Sequence, residues 1–237
     1  MKKFELFRFQ TDVELARAAA TDWLAAVREA SPAAQPFHVA LSGGRIAKTF
    51  FQAATTIARA EKWDLHDVHF FWADERCVPP DSPDSNFALA AQWLLHPLAV
   101  PEDHIHRIPG EFPPETAVLA AAREIHRIAE LNETGQPRLD LVLLGMGEDG
   151  HIASLFPGTP TEGSGAVYQA VEATKPPPQR ITLTFGALEA ARAVWVLASG
   201  QGKEEALRIS LEANGRTPLG ELMRQRGCTR IYTDIAF

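Results

Sequence analysis

Cysteine is almost missing from this chain. Its 237 residues hold only Cys77 and Cys228, far apart and in no metal-ligand spacing, so neither a disulfide framework nor a thiolate zinc centre can be read from them. The scarcity fits a reducing compartment. Long apolar runs are missing as well: no stretch of about 18 apolar residues occurs. The start, Met1-Lys2-Lys3-Phe4-Glu5, lacks the apolar segment of a secretory signal, and a cytoplasmic location is expected. Positive charge is in deficit, with 23 Lys and Arg against 30 Asp and Glu and a net charge of -7. That balance argues against nucleic acid as a partner. An anionic substrate would need local Arg and Lys to oppose the overall field.

What is present is a globular composition, 46% apolar and 22% charged, on a chain long enough to bury a sizeable core. Apolar runs alternate with helix-like segments, which predicts an α/β protein with a mostly parallel sheet. Expected strands are Phe37–Leu41, Val68–Ala73, Leu139–Gly145, Ile181–Phe185, Ala193–Ala198 and Thr229–Thr233, continuous apolar runs of the kind covered on both faces. Expected helices run from the Thr11 cap to Ala30, then over Ala47–Arg59, Asn86–Leu95, Glu115–Asn132, Lys203–Leu211 and Pro218–Arg226. Breaks at 79–83, 109–114, 157–165 and 176–178 read as loops, because the α/β rhythm continues across them. Residues 1–237 are therefore expected to form a single α/β domain.

Three strand ends carry chemistry. After Leu41 comes Ser42-Gly43-Gly44-Arg45, then a helix. Glycines let backbone N–H groups approach a ligand, and the helix N-terminus adds partial positive charge. The combination suits an anion such as phosphate, with the Ser42 hydroxyl, Arg45 and Lys48 as further donors. An ordinary strand-to-helix turn has the same look, and the P-loop spacing is absent. The second stretch, His69-Phe70-Phe71-Trp72-Ala73, runs into Asp74-Glu75-Arg76. Charges at the end of a parallel strand sit where α/β proteins bind ligands; an ion pair on a surface loop is the alternative. Asp84-Ser85-Asn86 after it reads as a helix cap.

The third stretch is Gly145-Met146-Gly147-Glu148-Asp149-Gly150-His151. Its Gly-x-Gly-x-x-Gly spacing matches a dinucleotide fingerprint. However, it lies late in the chain, no long helix follows, and no second strand carries an acid about 20 residues on. The alternative is a tight loop presenting His151 as a general base, with Asp149 fixing the imidazole tautomer. A histidine merely bonded within a turn is the competing reading, and it is preferred for the other seven histidines. His104 and His106 alternate in a strand-like stretch without a metal-ligand pattern.

With these stretches in view, the chain resembles the 6-phosphogluconolactonase family. The resemblance rests on Leu41-Ser42-Gly43-Gly44, on Asp74 to Pro79 with Ser85-Asn86, and above all on Gly147-Glu148-Asp149-Gly150-His151-Ile152-Ala153-Ser154-Leu155-Phe156-Pro157-Gly158. Arg180-Ile181-Thr182-Leu183-Thr184 and Gly200-Gln201-Gly202-Lys203 reinforce it. It implies a Rossmann-like three-layer sandwich with a mostly parallel central sheet. It further implies hydrolysis of 6-phosphoglucono-1,5-lactone to 6-phosphogluconate in the oxidative pentose phosphate pathway, with no cofactor and no metal. The expected partner is that small phosphorylated lactone, with no membrane involved and a monomer as the expected state. One triplet departs from the family: Ser-Thr-Pro or Arg-Thr-Pro usually follows the Ser-Gly-Gly turn, and here it is Arg45-Ile46-Ala47. A hydroxyl and a helix-starting proline are lost, while the backbone donors stay.

Joined to the residue chemistry, the resemblance seats the phosphate on Ser42, Gly43, Gly44 and Arg45, with Arg180 and Lys203 as cationic partners. His151 activates water against the lactone carbonyl. Asp149 or Asp74 orients His151 or the ring hydroxyls, and Arg76 binds substrate oxygens or the developing oxyanion. The amino-sugar phosphate deaminase-isomerases share the Gly-x-Asp-Gly-His core but continue Ala-Phe-Asn-Glu-Pro. Phe156 stands where their acid would be. A non-catalytic sugar-phosphate sensor would carry a DNA-binding helix-turn-helix, and only about 36 residues with one long helix precede the first expected strand.

Overall fold

The computed structural model describes residues 4–30, 35–159 and 165–236. It begins with β1 (Phe4–Arg8), α1 (Asp12–Ala30), β2 (Phe37–Leu41), α2 (Arg45–Glu61), β3 (Val68–Trp72) and β4 (Asp74–Arg76). Next come α3 (Asn86–Ala90), which runs on as a π-helical turn over Ala91–Leu95, a 3₁₀ turn at Glu102–His104, and α4 (Pro114–Ile128). The remainder is β5 (Leu141–Gly145), β6 (Tyr168–Glu172), β7 (Gln179–Leu183), α5 (Phe185–Ala190), β8 (Ala193–Ala198), α6 (Glu204–Leu211), α7 (Pro218–Gln225) and β9 (Thr229–Thr233).

Six strands make a parallel sheet in the order β1-β9-β8-β5-β2-β3. A second, antiparallel sheet is ordered β4-β7-β6. The main sheet is the expected parallel one, and its inner strands are buried along their length because helices flank the sheet, as in an α/β three-layer fold. α1 packs on α2, and Trp23 of α1 meets Phe50 of α2 at 5.8 Å and Phe70 of β3 at 6.3 Å between ring centroids. Phe50 is only 1% exposed, and truncating such an aromatic to Ala costs ~3–5 kcal/mol.

The chain order across the main sheet reverses between β2 and β5. From β2 the connection through α2 leads outward to β3, whereas β5, β8 and β9 progress the opposite way. Such a switch point opens a crevice at the carboxyl ends of the strands, where α/β folds bind ligands. Ser42 follows β2, and the loop from Met146 to His151 follows β5. Two expected candidate loops therefore flank the crevice.

Several elements differ from expectation. The strand expected at Ile181–Phe185 is shifted to Gln179–Leu183 and belongs to the small sheet. Thr184 instead caps α5, accepting from Ala187 N at 3.3 Å. Helix α4 stops at Ile128 rather than Asn132, because the Asn132 side chain accepts from the N–H groups of Thr134 and Gln136 and forms a turn. Strands β1, β4 and β6 went unexpected, and β1 lies in the segment expected to hold a single helix. Ala73 joins the two sheets: its N–H donates to the Leu41 carbonyl of β2 and its carbonyl accepts from Leu183 N of β7.

Candidate active site

Strand β2 delivers the chain to Gly44, which sits at φ 100° and ψ 176°, a region open essentially to glycine alone. α2 starts directly after it, at Arg45. No side chain caps this helix, so its first N–H groups are left to a ligand. Ile46 is buried. Ser42 Oγ is also buried and has no hydrogen-bond partner. A buried hydroxyl without a partner costs ~1–3 kcal/mol, a deficit that an anion seated on this turn would remove.

The loop after β5 presents the imidazole. His151 Nδ1 lies 2.6 Å from Asp149 Oδ1, and the same oxygen accepts from the His151 backbone N–H at 3.1 Å. Burial alone would raise the Asp149 carboxyl, but the two hydrogen bonds and the charge of His151 outweigh it and hold the group below its usual range. An ionised carboxylate only accepts, so Nδ1 carries the proton and Nε2 is left as the basic nitrogen. The ring lies against Gly147, where a Cβ would overlap it. Its other neighbour is Phe156, at 4.7 Å between centroids.

Of the two tasks expected of Asp74, orienting His151 or a ring hydroxyl, the first is not seen. It is 4% exposed and bonds no histidine. Its Oδ2 accepts from Ser154 Oγ at 2.7 Å and its Oδ1 from Asn86 Nδ2 at 3.2 Å. Between Asp74 and Asp149, the latter is the partner of His151. The expectation that Asp74 orients the imidazole is corrected, because Ser154 and Asn86 take its oxygens. Ser154 is fully buried, a setting for a positioning hydroxyl and not for an exposed nucleophile. Neighbouring Glu75 is buried too, accepting from Ser85 Oγ and from the N–H groups of Arg76, Asn86 and Phe87. Burial raises its carboxyl, and these four bonds offset part of that.

Four cations face the same space. Arg76 donates to the Asp84 carbonyl at 2.7 Å, and its Nε is buried without a partner. Arg180 donates to the carbonyls of Pro177 and Lys175; burial, followed by the nearby Arg76, lowers its guanidinium from the ordinary value. Burial and then Arg45 lower the Lys203 ammonium. Both shifts express positive charge partly withdrawn from water and set against like charge, an arrangement an anion would relieve.

One cleft of about 320 Å³ brings these groups together. Its lining includes Ser42, Gly43, Gly44, Arg45, Asp74, Arg76, His151, Arg180 and Lys203. Of the site residues expected from the sequence, Asp149 is not in the lining but holds His151 from beside it. Lys48 is no part of the lining: its ammonium lies over the Trp93 ring at 4.7 Å. Residues missed at the sequence level also line the cleft, namely Asp12, Ile46, Asn86, Met146, Ala153, Ser199, Gly200 and Asp234. Asn86 carried a signal, its place in Asp84-Ser85-Asn86, but that was read wholly as a cap. Ser85 is indeed the cap of α3, accepting from Ala88 N at 3.1 Å, while Asn86 reaches back to Asp74. Asp234 had no local signal; it accepts from Ser199 Oγ at 2.9 Å and Gly200 N at 3.3 Å.

The other histidines stay out of the cleft. His106 is buried, with Nε2 2.8 Å from His69 Nδ1 and Nδ1 2.7 Å from Glu124 Oε1. A 3₁₀ turn ends at His104, and the expected strand-like pairing follows it: Ile105 bridges Phe70 in parallel and the His106 N–H donates to the Phe70 carbonyl at 2.8 Å. A carboxylate does stand beside His106. No group of His, Cys, Asp and Glu among the described residues has the geometry to hold a metal ion. No helix among them is long and apolar enough to cross a membrane.

Comparison with known proteins agrees with this picture. Residues 10–230 match the family model described as glucosamine-6-phosphate isomerases/6-phosphogluconolactonase. A probable chloroplastic 6-phosphogluconolactonase 3 from Oryza sativa subsp. indica is 35% identical over 210 residues, which are 84% of this chain and 64% of the rice protein. The matched stretch thus spans just under two thirds of that relative. A 6-phosphogluconolactonase of Mycobacterium tuberculosis is 38% identical over 161 residues, 65% of each chain. The solved structure of 6-phosphogluconolactonase from Trypanosoma brucei superposes with a TM-score of 0.84 at 26% identity, covering 97% of this chain and 95% of that one.

Proposed function

Because the chain belongs to the glucosamine-6-phosphate isomerase/6-phosphogluconolactonase family, we propose that it hydrolyses 6-phosphoglucono-1,5-lactone to 6-phosphogluconate, a step of the oxidative pentose phosphate pathway, with His151 as general base. We take residues 1–237 to act as one domain in this reaction. The observation that carries the reading is the shared cleft: an imidazole backed by a carboxylate opens onto the same space as an uncapped helix N-terminus and four cations.

In this reading the 6-phosphate sits on the Ser42–Arg45 turn, with Lys203 and Arg180 adding charge. The first N–H groups of α2 and the unpartnered Ser42 hydroxyl would be satisfied there. Nε2 of His151 takes a proton from water as the water oxygen attacks the lactone carbonyl carbon. Arg76 faces the developing oxyanion. When the tetrahedral intermediate collapses, the C1–ring oxygen bond breaks and the imidazolium returns its proton to the leaving ring oxygen. The products are a carboxylic acid, which ionises, and a free hydroxyl. Asp149 holds the tautomer and stabilises the transient imidazolium, while Asp74, fixed by Ser154 and Asn86, addresses a ring hydroxyl. General-base help of about 10²–10⁴-fold is enough for an ester as activated as a lactone, and no covalent nucleophile is needed.

The test follows acid release from freshly prepared 6-phosphogluconolactone against a no-enzyme control. The unphosphorylated lactone and glucosamine 6-phosphate are run in parallel. Rapid turnover of the first, weak turnover of the second and none of the third is the expected pattern. Turnover of the amino sugar would favour the deaminase chemistry, and tight binding without turnover a sensor.

A further inference from the structure

Asp149 fixes one atom of the His151 ring, and a single hydrogen bond leaves an imidazole free to swing about that contact. Two neighbours limit the swing. Gly147 lies so close that any Cβ there would overlap the ring. Phe156 lies beside it, with ring centroids 4.7 Å apart and planes at 50°. The Arg180 guanidinium carbon lies 5.8 Å from the centroid of that same Phe156 ring. One aromatic side chain thus touches the base and a cation that lines the cleft.

Phe156 is itself anchored. Its N–H donates to Thr159 Oγ1 at 2.9 Å, and its carbonyl accepts from Thr159 N at 3.0 Å. The turn leading to it passes through Ala153, held at φ 48°, and through Ser154, which is pinned to Asp74 and, by its N–H, to Thr182 Oγ1. Phe156 is only partly buried, so it is not a core residue whose removal would threaten the fold.

From this we infer that Phe156 is a positioning residue that holds the His151 imidazole and the Arg180 guanidinium in mutual register, an inference that rests on the lactonase reading for its kinetic consequences. A base misplaced by about 1 Å can lose 10²-fold in rate, so the clamp acts on turnover through His151 and on substrate affinity through Arg180.

The experiment compares F156L, which removes the ring and keeps an apolar side chain, with F156Y, which keeps the ring. F156L should lower kcat about 10- to 100-fold and raise KM several-fold, while F156Y stays within about threefold of the parent in both. Nitrogen-15 NMR of the His151 imidazole gives a readout free of activity. All three should show Nδ1 protonated, held by Asp149, but F156L alone should show His151 ring signals broadened by swinging of the imidazole about that bond. G147A, whose Cβ would crowd the ring directly, should lower kcat about tenfold with KM unchanged. F156L with parental kcat and parental imidazole signals would overturn the inference, as would F156Y losing as much as F156L or G147A leaving kcat intact. If the parent itself fails to open the lactone, the functional reading falls, and the NMR comparison still decides whether Phe156 holds the ring.

Discussion

Asp149 is the sharpest place to perturb the site, because its carboxylate does one job: it accepts from the His151 ring at 2.6 Å and from the His151 backbone at 3.1 Å. A hydrogen bond to a charged group contributes ~1.5–3 kcal/mol, which at 1.36 kcal/mol per decade is about 10- to 150-fold in rate. The Asp149 side chain is 48% exposed, and solvent screening moves the expected effect toward the lower end. D149N keeps a neutral acceptor of roughly half the strength, so kcat should fall about tenfold. D149A removes the acceptor, and kcat should fall about 10- to 100-fold. KM should change little in either, because Asp149 does not line the cleft. Stopped-flow acid release from fresh lactone, corrected for spontaneous opening, reads both quantities. Parental kcat in D149A, or a change confined to KM, would refute the assignment of Asp149 as the tautomer-fixing partner.

Other outcomes follow from the same geometry. Replacing Lys203 or Arg180 with Ala should raise KM for the phosphorylated lactone about tenfold or more, at ~1.5–3 kcal/mol per charged bond, and leave the unphosphorylated lactone nearly unaffected; equal losses on both substrates would remove these residues from the phosphate site. G44A forces a side chain into the φ 100° region, which costs ~1–3 kcal/mol; a lower melting temperature with a raised KM is expected, and an unchanged melting curve would show that the turn relaxes freely. Burial lowers His38 and His106, although Asp140 and Glu124 respectively pull the other way, and burial with His104 and His106 brings His69 to about 4. The unfolded chain therefore binds more protons than the fold below pH 6.5, so stability present above 6.5 is lost as pH falls toward about 4. Thermal melts across that window should drop with falling pH, and the drop should shrink in H69F; a flat profile would contradict the neutral state of these rings in the fold.

Much of the architecture was legible because the physics behind it is local. The strands Phe37–Leu41, Ala193–Ala198 and Thr229–Thr233 are short, largely β-branched or apolar segments, and the structure gives them those same bounds. Strand β4 was not legible, since Asp74-Glu75-Arg76 reads as a charged loop. It becomes a strand only because remote Ser85, Asn86 and Phe87 satisfy Glu75 and β7 supplies the ladder. β1 depends likewise on pairing with β9 at the other end of the chain. The same divide runs through the site. His151 with Asp149 lies within three residues and could be read from spacing, as could the Ser-Gly-Gly turn. The pairing of Asp74 with Ser154 spans 80 positions, and the entry of Asp234 into the cleft needs the whole sheet. Local grammar gave no sign of either.

The central claim is that His151 supplies the base while the phosphate is held elsewhere in the same cleft. Its most direct test is H151A, assayed for lactone opening and, by calorimetry, for binding of 6-phosphogluconate. Turnover reduced by about 10²–10⁴-fold with product affinity within a few-fold of the parent is the predicted result. Turnover retained at the parental level, or affinity lost in step with rate, would contradict it.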